Sequence, residues 1–272
     1  MNRTSRSKTL FTYMAPAILT NACIFLFTIV DGIFVGQGVG SDALGAVNIA
    51  MPLVMIATAV NMLTSIGGVT VAAIRLSRGE KEGANQAFMH SLSSNLFFAL
   101  MITLACVFFT TPLARALGAS DTYLSMAKDY IFWWGLFAIP SALSLNFQSF
   151  CRNDGSPGLV GLSTVTGTVL NIFLDWLFVF PLKMGVMGAA VATGLSQTVT
   201  MLIVLGHFIA RKGELRIRPF KVEGKLYRKV LFRGLPEMIA QFATPVTTIC
   251  MNHVLVQNIG DVGINAYSII SY

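Results

Sequence analysis

Seven stretches of at least 20 residues contain no Asp, Glu, Lys or Arg: 9–30, 43–74, 83–114, 130–151, 155–174, 184–210 and 238–260. A helix needs about 20 apolar residues to cross a bilayer core of about 30 Å. Each run is rich in Leu, Ile, Val, Phe and Ala, and turn signals separate them: Gly36 to Gly40, Arg78-Gly79, Thr111-Pro112, Asn153 to Pro157 and Pro181. The pattern predicts transmembrane helices near 10–35, 44–74, 87–110, 123–150, 157–180, 187–210 and 235–257, with an eighth starting near Gly263. A membrane β-barrel would need alternating segments of about 10 residues, which are absent. The expected fold is an all-α polytopic membrane protein.

Only 11% of the 272 residues are charged, against about 25% in soluble domains. That excludes a disordered chain, a nucleic-acid-binding domain and an ordinary soluble enzyme. The net charge of +7 is explained by where the charges sit. Arg3, Arg6 and Lys8 precede helix one. Arg75, Arg78 and Lys81 follow helix two, Arg152 follows helix four, and nine more basic residues lie between Arg211 and Arg233. Only Arg115, Lys128 and Lys183 fall on the other side. By the positive-inside rule the amino end is cytoplasmic, and anionic lipid headgroups are the expected partner of this face. The basic start followed by an apolar run looks like a secretory signal, but the run is long enough to span the membrane and contains Pro16 and Asp31. Helix one is read as retained. Cys23, Cys106, Cys151 and Cys250 form no CxxC pair and read as small buried hydrophobes.

An internal repeat appears when the sequence is shifted by 220: residues 16–52 then lie on 236–272 without a gap. Pro16/Pro236, Thr28/Thr248, Ile29/Ile249, Gln37/Gln257, Gly40/Gly260, Ala46/Ala266 and Ile49/Ile269 are identical. Helices one and seven both run outward, so the repeat is parallel, a transporter layout. Residues 1–210 are therefore expected to form an amino-terminal six-helix lobe. Residues 211–233 form a basic cytoplasmic linker, and 234–272 the incomplete start of a second lobe. An intact protein with two matching copies would have roughly 440 residues, so the chain reads as a fragment.

Most acidic residues sit in loops or at helix ends; Asp31 and Asp175 do not. Each costs about 2.5–3.5 kcal/mol at a helix centre on insertion scales, and such residues face a bundle interior or a water-filled cavity. Counting inward from the outer helix ends at 1.5 Å per residue puts Asp31, Asp175, Thr193 and Tyr130 about 8–11 Å below the rim. Asn171 precedes Asp175 by one turn on the same face. This chemistry suits a proton or a Na⁺ ion. A neutral carboxyl pair sits in low dielectric at modest cost, whereas the ionised pair demands water, a cation or helix movement, and that difference couples an ion to a conformational change. The competing reading is structural, with both acids bonding neighbouring helices, although such bonds average well below 1–2 kcal/mol. Tyr130 also suits an interfacial position. Gln148 and Asn146, near the inner end of helix four, are weaker cavity candidates. Glu237 beside Pro236 reads as a helix-start carboxylate, and Gly67-Gly68 and Gly188 to Ala190 as close-packing sites. His90, His207 and His253 lack metal-ligand spacing. Gly36-x-Gly38-x-Gly40 is no dinucleotide fingerprint. GxSxG, Walker A and HExxH are absent, so a hydrolase or nucleotide-driven pump has no support and no enzyme is expected.

Phe27-Thr-Ile-Val-Asp31-Gly-Ile-Phe-Val-Gly36, followed by Ser41 to Ala46 and Met51-Pro52, resembles the first-helix signature of the multidrug and toxic compound extrusion (MATE) transporters. Asn171 to Asp175 and Gly188 to Thr193 resemble that family's fifth and sixth helices, and Arg152 to Pro157 its short cytoplasmic turn. The resemblance covers the whole chain, and within the family it points to the damage-inducible and MepA-like bacterial subgroup. It implies a twelve-helix, two-lobe exporter of the bacterial inner membrane, monomeric when intact, with the amino-terminal six-helix bundle, helix seven and the start of helix eight present here. It implies alternating access and efflux of amphipathic, often cationic compounds in exchange for H⁺ or Na⁺, with no other cofactor and no nucleic-acid partner. It further implies a cation site at Asp31, Asn171, Asp175 and Thr193, with Tyr130 lining the same cavity. One branch carries an acid in mid-helix seven; Gln241 to Thr248 contains none, which puts a second-lobe cation site of that type in doubt. Two other readings compete: a lipid-linked oligosaccharide flippase, which should carry a cationic central cavity for pyrophosphate, and a non-transporting membrane scaffold.

Overall fold

The computed structural model describes residues 14, 18, 22, 25, 26 and 29–271. In chain order the helices are α1 (Ile29–Gly38), α2 (Ser41–Ser77), α3 (Lys81–Phe108), α4 (Thr110–Ala116), α5 (Asp121–Leu136), α6 (Ala138–Asn153), α7 (Pro157–Val179), α8 (Gly185–Ile209), α9 (Gly224–Asn258) and α10 (Asp261–Ser271). α2, α3, α7, α8 and α9 are long and apolar enough to cross a membrane, and α5 with α6 makes a further span bent by 52°. Most of the expected first span precedes α1 and lies outside the described residues. The hairpins put the loops carrying Arg75, Arg78, Lys81, Arg152 and residues 211–223 at one end of the bundle, called here the basic end.

The distribution of side chains is that of a protein solvated by lipid. Phe97, Leu100, Met101, Leu104 and Phe108 form an exposed stripe along α3, and Leu162, Val169, Phe173 and Trp176 another along α7. The buried faces of the same helices carry Ser91, Ser94 and Asn95, and Ser163, Asn171 and Asp175. Polar groups in a span are tolerated only where the bundle surrounds them. Apolar packing sits at both ends. At the basic end Phe88 stacks on Phe208 at 5.0 Å and meets Phe150 at 4.7 Å. At the opposite end Val35, Val47, Tyr123, Ile131, Ala189 and Ala190 belong to one buried cluster.

Glycines set the closest helix contacts. A Cβ on Gly67 of α2 would strike the carbonyl oxygen of Val230 on α9, and one on Gly234 would strike that of Leu63. The two backbones therefore touch, as the Gly67-Gly68 pair predicts. Gly40 joins α1 to α2 at φ 123°, a conformation that side-chain-bearing residues rarely adopt.

Three features depart from the expected outline. The fourth span is two helices, because Pro140 has no N–H for the Leu136 carbonyl and its ring crowds that carbonyl; the chain closes a tighter turn from Phe137 N–H to Trp134 O and restarts at Ala138. Thr111-Pro112 lies inside the first turn of short α4 rather than in a turn of its own, since a proline is tolerated there. The seventh span begins at Gly224 rather than near 235, so part of the expected linker is helical. Leu226, Val230 and Gly234 recur every fourth residue and are all buried, while Lys225, Arg228, Lys229 and Arg233 stay on the other faces.

Candidate functional site

Four helices and the bend define the site. α1 lies against the end of α7 opposite the basic end: the Phe34 and Phe180 rings meet edge-on at 5.6 Å, and Gly38 abuts Val179. This contact places Asp31 beside Asp175, near enough for the two charges to interact. Both are almost completely buried, at 5% and 1% exposure. Asn171, at 1%, is on the same face of α7. Its Nδ2 points to the Thr193 hydroxyl on α8 at 3.5 Å, a long contact that links the two helices. Asp31 Oδ1, both Asp175 carboxylate oxygens and Asn171 Oδ1 are buried without a hydrogen-bond partner among the described residues. Four orphaned acceptor oxygens and one hydroxyl are a large polar debt in so small a volume, because a buried polar atom without a partner is costly. Every orphaned atom is an oxygen. A proton or an oxygen-loving cation discharges the debt; an anion or a further hydrogen-bond acceptor would enlarge it.

The charge arithmetic points the same way. No Lys or Arg lies in these spans near the two acids, so the ionised pair would have no countercharge from the protein. Among the described residues no group of three or more His, Cys, Asp or Glu is arranged to hold a metal.

A cavity of about 290 Å³ opens from this layer toward the middle of the bundle. Asn171 and Thr193 belong to its wall, as do Gln148, Asn61, Thr164 and Gln197, with Trp134, Ile102 and Leu145 as apolar lining. Among the described residues no charged side chain lines it. The space exists because the bend at Phe137 leads α6 away from the α5 axis, while Phe137 itself packs against Gly194 of α8. Gln148 is held by Ser144 at 3.0 Å and by Thr164 at 3.3 Å, which fixes its amide at the wall.

Two other expected cavity residues sit elsewhere. Asn146 is fully buried one helix face away, donating to the Ser65 and Ser91 hydroxyls at 3.1 and 3.0 Å. It ties α6 to α2 and α3. Tyr130 belongs to the buried apolar cluster that contains Val35 and Ala190 and does not line the cavity. Sequence reasoning did not single out Asn61, Thr58, Ser196, Gln197 or Thr200 as wall residues. Their isolated polarity in apolar runs was visible, but Ser and Thr bond their own helix so readily that such positions carry little signal.

These features define a multi-pass helical membrane protein built around a buried acidic pair and an uncharged polar cavity. The MatE family profile matches residues 16–177, more than half of the chain. The chain belongs to the MatE family. It is 24% identical to the multidrug export protein MepA of Staphylococcus saprophyticus, over 98% of this chain and 59% of that protein. With the MepA of Staphylococcus haemolyticus it shares 23% identity over 96% of this chain and 58% of that one. Among solved structures it superposes on the MATE multidrug transporter DinF-BH in complex with R6G with a TM-score of 0.90 at 28% identity, covering 97% of this chain and 59% of that one. An inward-facing multidrug resistance MATE family transporter gives 0.84 at 28% identity, over 89% and 56%. The chain thus spans about three fifths of the length of these relatives.

Proposed function

We propose that the protein is the amino-terminal part of a secondary active multidrug exporter. It exchanges amphipathic, often cationic compounds for H⁺ or Na⁺ through Asp31, Asn171, Asp175 and Thr193. The observation that carries this reading is the set of orphaned oxygens on two facing acids, opening on an uncharged cavity. Two protons neutralise the pair in place, and a single proton or Na⁺ reduces its charge from −2 to −1. With the ion gone the two carboxylates repel, and the layer relaxes only by admitting water or by moving α1 relative to α7. Asn171 and Thr193 are shared by the ion layer and the cavity wall, so ion occupancy and cavity shape are coupled through the same two side chains. The cavity's amides, hydroxyls and apolar lining suit an amphipathic solute held by a few polar contacts.

In this reading residues 1–210 form one lobe, 211–233 connect it to the next, and 234–272 begin the second. The basic end faces the cytoplasm, the amino terminus with it, and the protein is monomeric in a bacterial plasma membrane. A flippase for pyrophosphate-linked sugars is disfavoured, because the cavity wall carries no cation among the described residues.

The test is efflux by the intact protein in proteoliposomes, read with a fluorescent amphipathic cation under an imposed pH gradient, or a Na⁺ gradient at clamped pH. One of the two gradients drives efflux in the parent protein. Asp31→Asn and Asp175→Asn each reduce it to the level of empty vesicles. Gradient-driven efflux that survives both substitutions overturns the reading, as does efflux that neither gradient drives.

A further inference from the structure

The basic end holds a second pocket, of about 230 Å³, between the end of α2 and the start of α9. Arg75 and Arg78 line it from the α2 side, Lys229 and Arg233 from α9, with Glu80 as the sole acid and Val71 and Ile74 at the apolar floor. Two neighbouring cations of this end are matched: Lys81 pairs with Glu214 at 2.9 Å, and Arg218 with Glu82. Among the described residues none of the four pocket cations has an ion-pair partner. Arg75 alone is oriented by the protein, its Nη1 donating to the Gly83 carbonyl at 2.6 Å, which leaves the rest of the guanidinium free.

Four cations against one carboxylate face one another across a seam where the helices are otherwise in backbone contact. Just below the pocket Gly67 meets Val230, and Gly234 meets Leu63. The seam is thus drawn together by packing and pushed apart by charge. An anion placed between α2 and α9 turns that repulsion into two attractions. We infer that this pocket binds the phosphate of an anionic phospholipid headgroup, bridging α2 and α9. The lipid, rather than a soluble phosphate, is the occupant because the pocket lies where two apolar spans end and its floor is aliphatic. Phe232, beside Arg233, is 68% exposed and offers an apolar contact for an acyl chain. Clusters of cations at the end of a membrane span select anionic headgroups, at about a fivefold gain in affinity per Lys or Arg. The inference does not depend on the transport reading.

The experiment uses the intact protein, delipidated, returned to phosphatidylcholine nanodiscs with graded phosphatidylglycerol, and read by native mass spectrometry as lipid retained per protein. Retention of phosphatidylglycerol over phosphatidylcholine is expected for the parent. Lys229→Gln/Arg233→Gln removes two exposed cations from α9 and weakens that preference about twenty-five-fold. Lys81→Gln/Arg218→Gln, on the same end but ion-paired, leaves it unchanged. Inorganic phosphate at millimolar concentration does not displace the lipid. A fully monodisperse Lys229→Gln/Arg233→Gln protein that still retains phosphatidylglycerol overturns the site. Equal loss in the Lys81→Gln/Arg218→Gln control overturns it in favour of general surface charge, and displacement by inorganic phosphate overturns the lipid as occupant. If Lys229→Gln/Arg233→Gln does not stay monodisperse, Lys229→Arg/Arg233→Lys takes its place and must keep the preference; its loss there overturns the proposal.

Discussion

Asn171 Nδ2 and Thr193 Oγ1 stand 3.5 Å apart, the one side-chain hydrogen bond that joins α7 to α8 in the layer of the two buried acids. It holds the Asn171 amide on the face of α7 that also carries Asp175. Thr193→Val removes the hydroxyl and keeps the shape. A lost hydrogen bond of about 1 kcal/mol corresponds to a factor of about five. The expected outcome is a fivefold rise in the ion concentration needed for half-maximal efflux, with maximal efflux retained. Thr193→Ser restores the parent value. Efflux titrated against the driving ion checks it.

The cavity and the ion layer can be separated. Ala57 is buried in the cavity wall on α2, whereas the orphaned oxygens of the ion layer are on α1 and α7. Ala57→Phe fills part of the 290 Å³ space. Bulky fluorescent substrates should lose transport while compact ones keep it, and the dependence on the driving ion should stay that of the parent. Uniform loss across substrate sizes would mean that the cavity does not hold the substrate.

Residues 211–223 have no regular structure, yet buried polar side chains strap them to the bundle. Asp154 Oδ1 accepts from the Glu214 backbone N–H at 2.9 Å, and Asp154 Oδ2 contacts His207 Nε2 at 3.0 Å. Asn85 Oδ1 accepts from Arg216 N–H at 2.7 Å, and His90 Nε2 from Glu223 N–H at 2.9 Å. Asp154→Ala leaves His207 Nε2 and two backbone donors without their acceptor, at about 1–3 kcal/mol for a buried group left unpaired. Amide hydrogen exchange at 213–216 should rise sharply, with little change in α7. Asp154→Asn keeps an acceptor for the strap and should exchange far less.

At the α2–α9 contact there is no room for a side chain. Gly234→Ala drives a methyl into the Leu63 carbonyl, and overpacking of this kind costs about 1–3 kcal/mol. The expected result is a lower unfolding temperature in detergent together with a longer spin-label distance between the ends of α2 and α9. A substitution that changes neither would show that the seam is looser than the backbone contact implies.

Much of this architecture could be read before any coordinates. A charge-free run of 20 residues has few alternatives to a buried or membrane-crossing helix, so α2, α3, α7 and α8 fall close to their expected bounds, and α9 does so at its carboxyl end. Counting residues from the helix ends also put Asp31, Asp175, Thr193 and Tyr130 at one depth, with Asn171 one turn from Asp175 on the same face, because helical rise is fixed. The count could not give azimuth. Depth alone could not tell that Gln148 points into the cavity while Asn146, two residues earlier, points to Ser65 and Ser91. Nor could it tell that Tyr130 packs into the apolar cluster.

What the sequence alone determined was where the chain must be helical and which polar groups lie deep, since both follow from local chemistry and helix geometry. What only the tertiary structure decided was which deep groups meet. The break at Pro140, the Phe34–Phe180 contact and the glycine seam at Gly67 and Gly234 set the rotation and tilt of each helix. Those contacts join residues far apart in sequence, so no local pattern encodes their sum.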